Sequence, residues 1–243
     1  MNHNDLNILV TICARGGSKG IPGKNIKTIK GKPLLAYTVE TARKFIDKHG
    51  GELILSTDSP DIKAVGEMIG LISDYTRPDF LADDKAGKPD AIKDVMLWHE
   101  KKTGKKVDMV IDLDVTSPIR NVGDIEKCLE LVIKNPDTLT SFSVSPAARN
   151  PYFNMVEEKP DGYCKVILGG QYTTRQSAPK VYDMNASIYV YRRVALMAEN
   201  PKAVTPFSRC YVMDHICFDL DNPEDFEYLE FLLTNNKLNH ILA

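Results

Sequence analysis

An α/β domain is predicted: a Rossmann-like, mostly parallel sheet with helices on both faces, carrying one small extended insert. Three observations predict it. Short, β-branched apolar runs alternate with segments whose apolar residues recur at helical spacing. A glycine-rich loop closes the first of those runs, and the alternation breaks once, between Arg149 and Lys180. Strands that alternate with helices need right-handed crossovers, which make neighbouring strands parallel.

The first run, "LNILVTICA" at 6–14, suits a buried strand. In "GKPLLAYTVETARKFIDKHG", Leu35, Val39, Ala42 and Ile46 fall on one helical stripe, with Pro33 near the first turn and Gly50 past the end. "GELILSTDS" reads as strand, "PDIKAVGEMIG" as a helix opened by Ser59 and Pro60, and "LISDY" as a brief strand. The proline-punctuated "TRPDFLADDKAGKPD" reads as a functional loop, followed by a helix with Ile92, Val95, Met96 and His99 on its apolar stripe, His99 being a satisfied core histidine. "KKVDMVIDLDVTSP", "NVGDIEKCLELVIKN" and "TLTSFSVSP" follow as strand, helix and strand. From 149 to 180, "YFNMVEE", a "KPDGY" turn and "CKVILGG" read as a hairpin without a helix. "ASIYVYRR", a short helix, "HICFDLDN" as strand and "PEDFEYLEFLL" as the closing helix complete the chain. A single core at 1–148 and 181–243, with 149–180 as an appendage, fits 243 residues.

The composition, 43% hydrophobic and 26% charged, is that of a globular protein. Five cysteines form no C-x-x-C pair and leave an odd one over, which fits reduced thiols. The amino terminus shows no basic n-region and no A-x-A site, and no apolar run reaches the roughly 18 residues of a membrane span. A cytoplasmic protein with no membrane and no nucleic-acid partner is the expectation, the formal net charge being −2.

Charge is locally uneven. After Asp5 the next acidic residue is Glu40, and between them stand Arg15, Lys19, Lys24, Lys27, Lys30 and Lys32. "ICARGGSKGIPGKN" places the first three among four glycines directly behind the first strand. Backbone N–H groups of such a loop converge on phosphate oxygens while the cations neutralise them, and open α/β sheets bind phosphates in this position. The loop matches neither Walker A nor G-x-G-x-x-G. Gly16, Ser18 and Gly20 satisfy G-x-S-x-G, but Pro22 and Gly23 deny the serine the helix a hydrolase elbow needs.

"VIDLDV" and "CFDLDN" each place aspartates two apart at the end of an expected strand, so Asp112 shares a face with Asp114 and Asp219 with Asp221. Carboxylate pairs at strand ends suit Mg²⁺. Asn222 and Pro223 read as N-cap and first residue of the last helix.

Taken in order, "ARGGSKGIPGKN", "STDS", "RPDFLA", "TSPIR", "MNASIYVY" and "FDLD" resemble the CMP-sugar synthetases that activate acidic sugars: the acylneuraminate cytidylyltransferases and their relatives for legionaminic, pseudaminic and similar nonulosonic acids. The resemblance runs from about residue 7 to 232. It implies the nucleotide-diphospho-sugar transferase type of fold, CTP and an acidic nine-carbon sugar as substrates, and release of pyrophosphate. It also implies Mg²⁺ (or Mn²⁺) on Asp219 and Asp221, with Arg15, Lys19 and Lys24 on the triphosphate and Lys24, Arg15 and the two aspartates as catalytic groups. By the same resemblance Ala14, Ser18, Asn25 and Arg77 lie on the nucleotide side, Asp114, Arg175 and Asn185 on the sugar side, and 149–180 is a dimerisation insert of a homodimer. Many sialic-acid members carry glutamine two positions before Thr-Ser-Pro. Asp114 stands there in this chain, which points to a different sugar or metal shell, because a carboxylate cannot donate as an amide does. A D-x-D nucleotide-sugar-dependent glycosyltransferase and a non-catalytic CTP-binding protein are the alternatives; the first does not need the cationic loop, the second does not need the carboxylate pairs.

Overall fold

The computed structural model describes residues 6–17, 20–83 and 86–242. Strand β1 (Ile8–Cys13) leads into the glycine-rich loop, after which β2 (Thr28–Ile29) and β3 (Lys32–Pro33) form a short antiparallel ribbon before helix α1 (Leu34–His49). Then come β4 (Glu52–Ser56), α2 (Pro60–Met68), α3 (Lys88–Thr103), β5 (Met109–Leu113), α4 (Val122–Ile133) and β6 (Thr140–Pro146). The insert holds β7 (Val156–Glu158) and β8 (Cys164–Val166), and the chain ends with β9 (Tyr182–Arg192), α5 (Arg193–Leu196), β10 (Ser208–Val212), α6 (Pro223–Thr234) and α7 (Asn239–Leu242).

The main sheet has the order β10-β6-β9-β5-β1-β4. β1 pairs parallel with both β4 and β5, and β6 with β10, while β9 runs antiparallel to β5 and β6. The exception has a connectional cause. Every parallel neighbour is reached through a helix, whereas β9 enters from the insert, which contains a hairpin and no helix to reverse the chain.

Side chains alternate across the sheet and so feed two cores. Ile8, Val10 and Ile12 pack with α1 (Leu35, Val39, Phe45), α4 (Ile125, Leu129) and α6 (Phe226, Leu229). Leu9 and Val110 pack on the other face with α3 (Ile92, Val95, Met96) and Leu196 of α5. Helices therefore cover both faces, and His99 lies in the buried stripe of α3 as expected, 3.8 Å from Glu52. Among the described residues no helix is long and apolar enough to cross a membrane.

Two expected strands do not form. At 71–75 Leu71 and Tyr75 are buried, but the Ser73 hydroxyl donates to the Leu55 carbonyl (2.9 Å), so a side chain takes the place of ladder pairing. Residues 215–222 also lie outside the sheet. That segment is strapped to the loop after β5 by Leu220 N–H to Thr116 O (2.9 Å) and by the Ser117 hydroxyl to Phe218 O (3.0 Å). The expected hairpin in the insert is present, as β7 and β8 in antiparallel register.

Candidate active site

A cavity of about 450 Å³ opens beyond the carboxyl ends of β1, β4 and β5. Because β1 feeds β4 on one side of it and lies beside β5 on the other, this is the crevice where open α/β sheets bind ligands. Arg15, Lys24 and Asn25 line it from the glycine-rich loop, Arg77 and Lys88 from the far wall, Asp114 and Thr116 from the loop after β5, and Asp221 from the segment before α6.

The two ends of the chain meet here. Lys24 Nζ donates to the Leu220 carbonyl at 2.5 Å and stands 3.6 Å from Asp221 Oδ1. Gly20 presses on the same segment: a Cβ there would lie 2.5 Å from the Asp221 carbonyl oxygen. Gly23 at φ 64 turns the chain into the short helical turn Lys24–Ile26, which faces Lys24 inward. The buried Asn25 amide donates to the Arg15 carbonyl (3.0 Å), tying two cation-bearing stretches of the loop together. From the other side α6 fixes Asp221. In the capping box of Asn222 and Asp225, the Asp225 carboxylate accepts the N–H groups of both Asp221 (2.8 Å) and Asn222 (3.0 Å). The expected N-cap thus also holds Asp221 in place.

The first aspartate pair shares a face, as strand alternation requires, and has hydroxyl, N–H and ammonium neighbours. Asp112, with no exposed surface, accepts from the Thr11 hydroxyl at 2.8 Å. Asp114 Oδ1 accepts from the Thr116 N–H and hydroxyl, both at 2.9 Å. Lys88, at the start of α3, bridges the pair, with Nζ 2.6 Å from Asp114 Oδ2 and 2.8 Å from Asp112 Oδ2. Burial works to lower the Lys88 ammonium, yet Asp112 and Asp114 hold it well above its ordinary value. Burial works to raise the Asp114 carboxyl, yet Lys88 and Thr116 hold it below the usual carboxylate range. Burial, reinforced by the Asp112 charge, pushes the neighbouring Cys13 thiol up to about 12, so it stays protonated and inert.

The second pair is open. Asp219 Oδ1 is buried and finds no hydrogen-bond partner among the described residues. Burial, then the charges of Asp114 and Asp221, raise its carboxyl against the opposing pull of Thr116 and Lys24. Most of the Asp221 side chain is exposed to the cavity mouth. An orphaned carboxylate oxygen beside a second, accessible carboxylate is a donor set that fits a hard divalent cation.

Arg77 is buried and oriented by the end of β4, its Nε donating to the Ser56 hydroxyl (3.0 Å) and its Nη2 to the Ser56 carbonyl (2.8 Å). The Ala14 N–H is used by the same carbonyl (3.0 Å). Arg120 of "TSPIR" has no exposed surface and underpins the loop after β5. It donates to Ser187 Oγ (2.7 Å), Thr38 Oγ1 (3.1 Å), the Ser117 carbonyl (2.6 Å) and the Asp114 carbonyl.

Of the residues expected on sequence grounds, the structure therefore brings Arg15, Lys24, Asn25, Arg77, Asp114 and Asp221 to one cavity. Ser18 and Lys19 lie outside the described residues. Asn185 is buried behind the site, its amide joined to Ser143, Ser145 and Met213. Arg175 anchors the insert to the end of β6 through the Ala147 carbonyl (2.5 Å). Lys88, Thr116 and the contact at Gly20 were not foreseen. Lys88 lies in the loop read as functional, but nothing local in "AGKPD" shows that its partners stand two dozen residues further on.

Comparison with known proteins identifies the family and the fold. The family model for cytidylyltransferases matches residues 9–242. The chain is 39% identical over 233 residues to the post-translational flagellin modification protein B of Campylobacter coli, covering 95% of this chain and 97% of that protein. It is also 39% identical over 236 residues to the CMP-N,N'-diacetyllegionaminic acid synthase of Campylobacter jejuni subsp. jejuni, covering 96% and 97%. Among solved structures, CMP:2-keto-3-deoxy-manno-octonic acid synthetase complexed with CTP superposes with a TM-score of 0.71 at 18% identity, over 95% of this chain and 99% of that one, a likeness of fold. Matched by the family model along nearly its whole length, and 39% identical to relatives that it covers almost completely, the chain belongs to the cytidylyltransferase family.

Proposed function

We propose that this nucleotidyltransferase transfers CMP from CTP to the anomeric hydroxyl of a nonulosonic acid and releases pyrophosphate, with N,N'-diacetyllegionaminic acid the first acceptor to test. The observation that carries the reading is the meeting of Lys24 with Leu220 and Asp221 across one cavity, which sets triphosphate-binding cations against carboxylates within a few ångströms. The sugar hydroxyl loses its proton to solvent as its oxygen attacks the α-phosphorus, while the bond from that phosphorus to the bridging oxygen of the pyrophosphate breaks. Such transfers depend on positioning and on charge stabilisation. Lys24 and Arg15 hold the triphosphate and neutralise the charge that gathers on the leaving pyrophosphate. Asn25 keeps their loop closed through the Arg15 carbonyl. Arg77, pinned to Ser56, faces the ribose and base. Asp219 and Asp221 are the residues that would hold Mg²⁺ or Mn²⁺. When bound, that ion would withdraw charge from the α-phosphate and make the sugar hydroxyl more acidic.

On this reading Ser18 and Lys19 complete the phosphate loop, and the backbone at Ala14 borders the nucleotide. Arg175 pairs with the sugar carboxylate from the insert, Asn185 supports the sugar side, and Asp114 shapes it. The insert at 149–180 presents exposed Met155, Val156, Tyr163 and Leu168, which supports its assignment as the contact of a homodimer, and we place that dimer in the cytoplasm.

The test is incubation with CTP, Mg²⁺ and a panel of legionaminic, pseudaminic, neuraminic and octulosonic acids while pyrophosphate is followed. Release with a nine-carbon acid is expected. No release with any member overturns the synthetase reading in favour of a glycosyltransferase or a non-catalytic CTP-binding protein.

A further inference from the structure

The two aspartate pairs have the same spacing, and one member of each, Asp114 and Asp221, lines the same cavity, but the cations beside them differ. In the first pair Thr11 donates to Asp112 Oδ1, Thr116 donates twice to Asp114 Oδ1 and Lys88 Nζ donates to Asp114 Oδ2 at 2.6 Å, while Asp112 Oδ2 makes no hydrogen bond and has Lys88 Nζ, 2.8 Å away, as its ion-pair partner. In the second pair Asp219 Oδ1 is buried and unpartnered. The ammonium of Lys88 sits between two carboxylate oxygens, the kind of position a divalent cation takes between paired carboxylates. It is not a loose surface charge. The side chain is only 31% exposed, and Nζ also stands 5.2 Å from the Tyr189 ring centroid, so its stem is steered from a third direction. Its backbone is the first residue of α3, behind Pro89, which fixes the direction of approach.

We propose that Lys88 is a built-in monovalent cation that fills the first aspartate pair, so that this pair binds no divalent ion and metal is confined to Asp219 and Asp221. Lys88 is thus a positioning residue. It keeps Asp114 turned toward Thr116 and leaves one metal place instead of two in a cavity that holds five carboxylates on or just behind its wall (Asp83, Asp112, Asp114, Asp219 and Asp221). The inference rests on the reading of Asp219 and Asp221 as the metal pair, and the experiment separates the two.

The probe is Mn²⁺ titrated into the full-length protein without nucleotide, with free Mn²⁺ read by electron paramagnetic resonance. Relative to wild type, Lys88→Ala is expected to bind one additional Mn²⁺ per chain, and Lys88→Ala with Asp114→Asn is expected to lose that addition. Mn²⁺ should also raise the melting temperature of Lys88→Ala by more than it raises that of wild type. An unchanged count in a folded Lys88→Ala protein overturns the proposal. Should that variant fail to fold, Asp114→Asn in the wild-type background decides: Mn²⁺ affinity within twofold of wild type supports the proposal, and a tenfold or greater loss shows Asp114 to be a ligand and overturns it. Asp219→Asn with Asp221→Asn reports on the metal-pair reading by itself, because its failure to remove the wild-type ion would sink that reading while leaving the Lys88 difference measurable.

Discussion

Alanine at Gly20 tests the meeting of the two chain ends with the smallest possible change. The added Cβ would stand 2.5 Å from the Asp221 carbonyl oxygen, closer than real Cβ atoms come to a backbone oxygen. Restoring an ordinary contact of 3.4 Å requires the glycine-rich loop and the Asp221 segment to part by about 0.9 Å, the difference between those distances. The Asp221 backbone cannot easily retreat, because the Asp225 carboxylate holds its N–H at 2.8 Å and α6 lies directly behind. Lys24 Nζ, 2.5 Å from Leu220 O and 3.6 Å from Asp221 Oδ1, would therefore be carried away from its partners. Misplacement of reacting groups by about 1 Å costs on the order of 10²-fold in rate, so kcat for pyrophosphate release should fall by about 10- to 100-fold. Because the clash is with backbone, part of its cost should also show as a lower urea midpoint. Gly17→Ala, whose Cβ would meet nothing within 4 Å, is the matched control and should keep wild-type turnover. Wild-type turnover in Gly20→Ala, or an equal loss in Gly17→Ala, would refute the argument from contact geometry.

Lys24→Ala should lower kcat by about 10²- to 10³-fold, whereas Lys102→Ala, which removes an exposed pair with Asp74 and a contact over the Trp98 ring, should be neutral in the same steady-state assay. Asp221→Asn should raise the Mg²⁺ concentration needed for half-maximal rate, read from a Mg²⁺ titration at saturating CTP. Arg120→Met strands the Asp114 and Ser117 carbonyls in a site with no exposed surface and should cost about 3–5 kcal/mol in urea unfolding. His215 contacts Asp124, the capping carboxylate of α4, at 2.9 Å, and that hydrogen bond raises its ionisation above the ordinary histidine value against the opposing effect of burial. A raised folded value means the stabilisation is whole below about pH 6.5 and disappears as pH climbs through the folded value. The stability difference between wild type and His215→Asn should therefore be larger at about pH 6 than at about pH 9, as measured by urea midpoints.

Much of the fold was legible because its signals are local. The stripe Leu35, Val39, Ala42 is periodic within one helix and turned out to be buried, and Ser59 before Pro60 announced the cap of α2. The errors arose where a tertiary partner replaced a local one. "LISDY" has strand composition, but Ser73 bonds Leu55 through its hydroxyl. "HICFDLDN" has strand composition too, yet its N–H and C=O groups find the loop after β5. β9 could not be assigned a direction from composition, since direction depends on how the chain re-enters from the insert.

The order of residues alone determined which groups could act: six cations without an intervening acid, two aspartate pairs with strand spacing, and the family resemblance carried by "ARGGSKGIPGKN" and "FDLD". Tertiary structure alone decided which of them act together and in what state. Lys24 reaches Leu220 across 196 positions of chain, and Lys88 reaches Asp114 across 26. The two aspartate pairs are indistinguishable as text, yet one has the Lys88 ammonium 2.8 and 2.6 Å from its two Oδ2 atoms, while the other has Lys24 3.6 Å from Asp221 and a buried Asp219 oxygen without a hydrogen bond. The physical reason is that charge interactions depend on distance in space and on burial, and neither is a property of spacing along a chain.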